Sequence, residues 1–181
     1  VAAGHGALSV NVAELLACMP NAGSRAQTYA PHIGDAMREF GITTPQRQAA
    51  FLAQVCHETG SLRWVRELAD GSAYEGRASL GNTEPGDGVR FAGRGLLQIT
   101  GRANYAKCAA ALNMDLIDNP SLLESPAAAA RASAWWWREH GCNELADGDK
   151  FCALTKLING GFNGLDERLA HWIRARKVLG L

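Results

Sequence analysis

A mainly α fold is what this sequence predicts, on two observations. Seven segments carry apolar residues at helical spacing. Between the third and fourth of them lies one irregular stretch, residues 69–95, which holds seven glycines, a proline and turn pairs such as Asp87-Gly88. Stretches of that length without regular structure inside a compact domain are usually functional or disordered. Tyr74, Leu80 and Phe91 give this one something to pack with, so a functional segment with a short β-ribbon is expected.

The elements follow in order. "NVAELLACM" has helical periodicity and stops near Pro20. "RAQTYAPHIGDAMREFG" places Ile33, Met37 and Phe40 on one stripe and ends at Gly41, a residue suited to the position just past a helix. "TPQRQAAFLAQVCHETG" starts with Thr44 as N-cap and Pro45 in the first turn, and buries Ala49, Leu52, Ala53 and Cys56. After the irregular stretch come "TGRANYAKCAAALN", "SPAAAARASAWWWREHG" and "DKFCALTKLING". The last helix, "LDERLAHWIRARKVLG", has Asp166 near its start and Arg174, Arg176 and Lys177 toward its end, as the helix dipole favours. The Trp135-Trp136-Trp137 run covers a wide helical arc, so core packing is expected of at least one ring.

Composition narrows the function. Formal net charge is zero, whereas nucleic-acid binders carry a basic excess, so no nucleic-acid partner is expected. No apolar run approaches the roughly 20 residues of a bilayer span, and no membrane insertion is expected. The opening "VAAGHGALSV" lacks a basic and apolar leader pattern. The expectation is a single catalytic domain over residues 1–181, with residues 1–10 a disordered or cloning-derived tail. A monomeric state goes with it. Five scattered cysteines form neither a disulfide framework nor a zinc set; they read as buried thiols, with a bridge among Cys108, Cys142 and Cys152 left open. No cofactor or metal is expected.

The chemistry centres on "FLAQVCHETGSLRWVRE". Glu58 closes an apolar helix and Glu67 follows nine positions later. On one continuous helix, nine residues turn about 900° and rise about 13.5 Å, so the acids would diverge. Gly60-Ser61 breaks the helix, and the chain can turn to bring Glu67 back toward Glu58. Two carboxyls across a gap suit glycoside hydrolysis. A gap of about 6.5–9.5 Å leaves room for a water and inversion; about 5–5.5 Å means retention. Glu75 and Glu84 compete for the second role. A general acid needs a proton near neutral pH, so Glu58 should be partly desolvated. His57 reads as a packed structural histidine. "HETGS" lacks the second histidine of a zinc helix.

Several blocks read together resemble a known family. "HETG" at 57–60, "YEGRASLGN" at 74–82, "GDGVRFAGRGLLQITGRANY" at 86–105 and "LINGGFNG" at 157–164 are similar, in the same order, to the signature blocks of glycoside hydrolase family 19. That family holds plant-type chitinases and many phage endolysins. The resemblance covers about residues 30–181, and the short chain is most similar to the endolysin branch. It implies a lysozyme-like helical fold with two lobes about a cleft, an inverting mechanism and no metal. It implies Glu58 as general acid, Glu67 as general base and Thr100 as the hydroxyl that holds the attacking water. Gln98, Asn104 and Tyr105 match cleft residues that contact sugar, and Asn159 and Arg168 match a polar network beside the acids, here counted with the substrate-binding set. Ser61 departs from the second glycine that many members carry. The resemblance implies a peptidoglycan glycan strand as substrate, with chitin the alternative, for a protein with no separate wall-binding domain, made in the cytoplasm and acting on the cell wall after release.

Overall fold

The structure is a computed structural model and describes residues 10–181; apart from Val10, the expected tail lies outside the described residues. It is mainly helical, as predicted. α1 (Val12–Cys18) starts on Asn11, whose side chain and that of Glu14 cap each other's backbone. α2 (Arg25–Glu39) follows, and then α3 (Pro45–Glu58), where the Thr44 side chain accepts from Arg47 N at 3.2 Å, as an N-cap should.

α3 is the central element. Every residue from Gln48 to Cys56 is buried, so this helix is surrounded rather than one-faced. α9 (Leu165–Val178) lies along it, and α2 packs against α6 (Pro126–Glu139). α5 (Arg102–Leu112), α7 (Cys142–Asp147) and α8 (Phe151–Asn159) complete the long and medium helices. Trp137 meets Phe51 edge-on at 5.3 Å and donates to Asn143. Trp135 is buried, and Trp136 stacks on His140, so the tryptophan run serves packing.

The glycine-rich stretch folds as turns: 3₁₀ turns at Ser72–Tyr74 and Ala78–Leu80, then the short α4 (Asp87–Arg90). The ribbon is smaller than expected and sits at the margins of that stretch. Arg94 bridges Arg66 on one side and Ile99 on the other, both antiparallel. Recurring glycines favour tight turns over sustained pairing, which confines the ladder to these positions. Asp87, almost fully buried, anchors the stretch by a 2.5 Å ion pair with Arg102, and those hydrogen bonds hold its carboxyl below the usual range.

All five cysteines are free thiols; Cys152 alone is exposed. Burial pushes Cys18, Cys108 and Cys142 up to about 12.

Candidate active site

The α3 helix ends where the sequence breaks it. Gly60, Ser61 and Leu62 all take left-handed conformations, with φ of 55°, 61° and 65°. For a residue with a Cβ this costs about 1–2 kcal/mol each. Local bonds and burial offset that cost. The Thr59 hydroxyl donates to Val55 O at 2.6 Å and accepts from Leu62 N at 2.7 Å, and Ser61 N donates to Cys56 O. Leu62 is 2% exposed, worth about 1.5–3 kcal/mol of apolar transfer. The left-handed φ at Ser61 explains why glycine suits this position in relatives of the motif. After this reversal the chain runs back, and Glu67 N donates to Gly93 O at 3.0 Å.

Glu58 and Glu67 line one pocket of about 350 Å³, together with Tyr74, Gln98 and Thr100. Each acid is held separately. Glu58 Oε1 lies 2.5 Å from an Arg168 nitrogen. Arg168 is 1% exposed, and its other nitrogens donate to Gln54 Oε1 at 2.5 Å and Asn163 O at 3.1 Å. A buried guanidinium needs such partners, and here they come from α3 and the loop between α8 and α9. Gln54 stands one turn before Glu58 on α3, so one arginine ties two positions of the same helix face. Asn159 accepts from Asn163 N and so steadies the loop that binds Arg168.

Glu67 is held by different partners. Gly93 N donates to Oε1 at 2.6 Å and the Tyr74 hydroxyl donates to Oε2 at 2.9 Å. Burial, and then this bond, raise the Tyr74 hydroxyl above its ordinary pKa. A Cβ on Gly93 would stand 2.6 Å from Gln98 Oε1, 3.0 Å from Thr100 Oγ1 and 3.4 Å from the Glu67 carboxyl carbon. Three predicted site residues therefore converge on one bare α-carbon. Gln98 reaches it from a left-handed backbone, φ 55°, and its Oε1 is buried without a hydrogen-bond partner. Strain and an unmet acceptor at one residue are the kind of cost that persists at functional sites.

Thr100 lies half-buried on the pocket, with its hydroxyl donating to Gln98 O at 3.0 Å. It does not cap α5. The N-cap there is Gly101, with no side-chain cap bond. Asn104 spends its side-chain amide on Thr100 O at 2.8 Å, which makes it a positioning group for Thr100.

Two expectations are corrected. Tyr105 is fully buried and does not face the pocket; its hydroxyl donates to Ala92 O and accepts from Arg94. Ala92 and Arg94 flank Gly93, so Tyr105 braces the strand that holds Glu67. Burial pushes its hydroxyl up to about 12. Arg168 stands in a polar network beside Glu58, as expected, but it is 1% exposed and so is not a sugar contact.

His57 is packed as predicted. It pairs with Glu167 at 2.7 Å, and a Cβ on Gly164 (φ 69°) would collide with its ring, so this loop needs glycine to press on it. The Glu75 carboxylate accepts from Gly86 N at 2.6 Å and Gly88 N at 2.8 Å, and it is absent from the pocket wall. Those amides at the start of α4 are its partners, and the neighbouring Arg77 lies over the Tyr74 ring. Among the described residues, no group of three His, Cys, Asp or Glu side chains is placed to hold a metal ion.

Sequence reasoning missed Gln54, Tyr74 as a ligand of Glu67, and Gly93. Gln54 left a signal: a polar amide inside the apolar run "AAFLAQVC", one turn from the acid.

A family model described as chitinase class I, of glycoside hydrolase family 19, matches residues 34–146. A glycosyl hydrolase family 19 domain-containing protein of Haemophilus influenzae is 30% identical over 163 residues, covering 73% of this chain and 80% of that protein. The chain belongs to glycoside hydrolase family 19. It is accordingly a glycosidase, and its substrate is a glycan. An endochitinase of Arabidopsis thaliana is 32% identical over 148 residues, 78% of this chain and 51% of that protein; the chain spans about half the length of this plant relative. Among solved structures, a bacterial family 19 chitinase matches with a TM-score of 0.76 and 25% identity over 96% of both chains. Chitinase C from Streptomyces griseus matches with 0.78 and 23% identity, covering 99% of this chain and 79% of that one; this likeness is one of fold. The lysozyme-like helical fold of the family 19 neighbours is thus the fold of this chain.

Proposed function

We propose that this family 19 hydrolase cuts the β-1,4-linked, N-acetylated glycan strand of bacterial peptidoglycan, with inversion at the anomeric carbon. Glu58 gives its proton to the glycosidic oxygen as the C1–O bond breaks. A water attacks C1 from the opposite face, and Glu67 takes the proton that water releases. Thr100 and Gln98, next to Glu67 around Gly93, hold that water. The observation that carries this assignment is the separate anchoring of two acids on one pocket: Glu58 through Arg168, Glu67 through Gly93 N and Tyr74. The choice of peptidoglycan rests on the resemblance of this compact chain to the endolysin branch, and it carries a site of action at the cell wall. Chitin is the second reading, favoured by the plant relatives, which are named endochitinases.

The test is mass spectrometry of products from purified peptidoglycan, beside chitin oligomers, with Glu58→Gln as the control. New reducing ends from peptidoglycan that disappear in Glu58→Gln support the proposal. Products from chitin alone would move the assignment to the second reading. General acid–base steps contribute roughly 10²–10⁴-fold, so Glu58→Gln activity within about threefold of the parent removes Glu58 from its role.

A further inference from the structure

The pocket wall contains one charged side chain that neither acid uses. Among the residues lining the pocket, Arg66 is the only cation. Its side chain is 46% exposed, and among the described residues its only ion-pair contact is a 3.9 Å approach to Glu124 Oε1. That oxygen is already taken: Arg94 Nε donates to it at 2.7 Å. Glu58 and Glu67 have their own partners, so neither consumes Arg66. The backbone of Arg66 is fixed by its bridge to Arg94, one residue from Glu67, so the guanidinium is carried on the same braced strand as the proposed base.

A neutral chitin chain has no use for this charge. An anionic chain does, because the Glu67 carboxylate on the same pocket repels it. A guanidinium offers a planar fork that matches a carboxylate. We propose that Arg66 selects for carboxylate-bearing glycan by pairing with a carboxylate carried on the O3 lactyl arm of a muramic residue. This rests on the peptidoglycan reading above. Two sources supply the same group: the free lactyl carboxylate of peptide-free strands, or a carboxylate of the stem peptide attached to that arm. Trp64, 41% exposed on the same wall with Arg63 over its ring at 4.7 Å, gives the arm an apolar surface beside the charge.

The experiment compares kcat/KM on three soluble substrates: peptide-free muramyl glycan oligomers, the same oligomers bearing stem peptides, and chitin oligomers. The proteins are the parent, Arg66→Gln and Arg66→Lys, each checked for folding by thermal melting. Arg66→Gln should lower the muramyl-to-chitin ratio on the order of tenfold, mostly through KM, as for loss of a hydrogen bond to a charged group. Arg66→Lys should recover much of it. A fall confined to the peptide-free arm assigns the lactyl carboxylate, one confined to the peptide-bearing arm assigns the stem, and a fall on both keeps the shared chemistry. An equal change on all three substrates overturns the role of Arg66 while leaving the peptidoglycan reading intact. A parent that cuts chitin oligomers and neither muramyl substrate overturns that reading, and this inference with it. Should Arg66→Gln fail to fold, the parent's salt dependence decides: muramyl rates that fall no more steeply with salt than chitin rates refute the pairing.

Discussion

Gly93→Ala isolates the convergence of Glu67, Gln98 and Thr100 from their own chemistry, because it alters none of them. Gly93 is not among the residues with left-handed φ, so alanine brings no backbone penalty of that kind. It brings a methyl group into occupied space. The new Cβ would lie 2.6 Å from Gln98 Oε1 and 3.0 Å from Thr100 Oγ1. Restoring ordinary contact at 3.4 Å asks Gln98 to retreat by about 0.8 Å and Thr100 by about 0.4 Å. Gln98 can do so only by giving up or bending the bond its side-chain amide donates to Gly95 O at 3.3 Å. Overpacking of this kind costs about 1–3 kcal/mol. Misplacement approaching 1 Å at a reacting centre costs up to about 10²-fold in rate. Turnover should therefore fall roughly 10- to 100-fold, in a protein that still melts cooperatively a few degrees below the parent. Initial rates on oligosaccharide at 25 °C, paired with thermal melts, make the measurement. Turnover within threefold of the parent, in a variant shown to be folded, would mean that the space over Gly93 is not where the reaction happens.

The other expected outcomes concern single groups. Glu67→Gln should lose most turnover, while Glu75→Gln, which only weakens bonds to Gly86 and Gly88 amides, should cost about 1 kcal/mol of stability with activity largely kept; initial rates in the reverse order would exchange their roles. Thr100→Val should melt near the parent, because Thr100 caps no helix, and should lose turnover with glycan binding retained; normal turnover with a lowered melting temperature refutes the water-holding role. Arg168→Met, which strands the Glu58 carboxyl and Gln54 amide in a buried setting, should destabilise the fold by about 3–5 kcal/mol in denaturant titration, and a change below 1 kcal/mol would contradict the tie between α3 and α9. Chelation with EDTA should leave activity intact, and loss that zinc restores would overturn a metal-free mechanism.

Local chemistry made α3 legible: Thr44 and Pro45 start it, its apolar run buries it, and Gly60 stops it. The same break made the return of Glu67 readable before any coordinates. Tyr105 shows what motif matching overlooks. It shares a helical stripe with Cys108 and Leu112, all three buried, and that spacing marks a core face more directly than its place in the signature block marks a sugar contact. Arg168 lay beyond such reasoning, since an arginine in the first turn of a helix reads as exposed until tertiary packing brings α9 against α3. The partners of Glu75 were hidden for a related reason: backbone amides leave no trace in side-chain identity. The ribbon was placed inside the glycine-rich stretch because strand pairing is non-local, and only its flanks, at Arg66, Arg94 and Ile99, could pair.

The burial of α3 along nearly its whole length sets a hierarchy of local stability. Amides at Val55 and Cys56 sit inside a surrounded helix and should exchange with solvent only through opening of the whole domain. The amide of Gly93, bonded to Glu67, belongs to a wall built of turns and single bridges, where opening costs less. The two acids therefore sit in regions of unequal cooperativity. On warming, the Glu67 wall should loosen first, and hydrolysis should fade at temperatures where the far-ultraviolet helical signal is still intact.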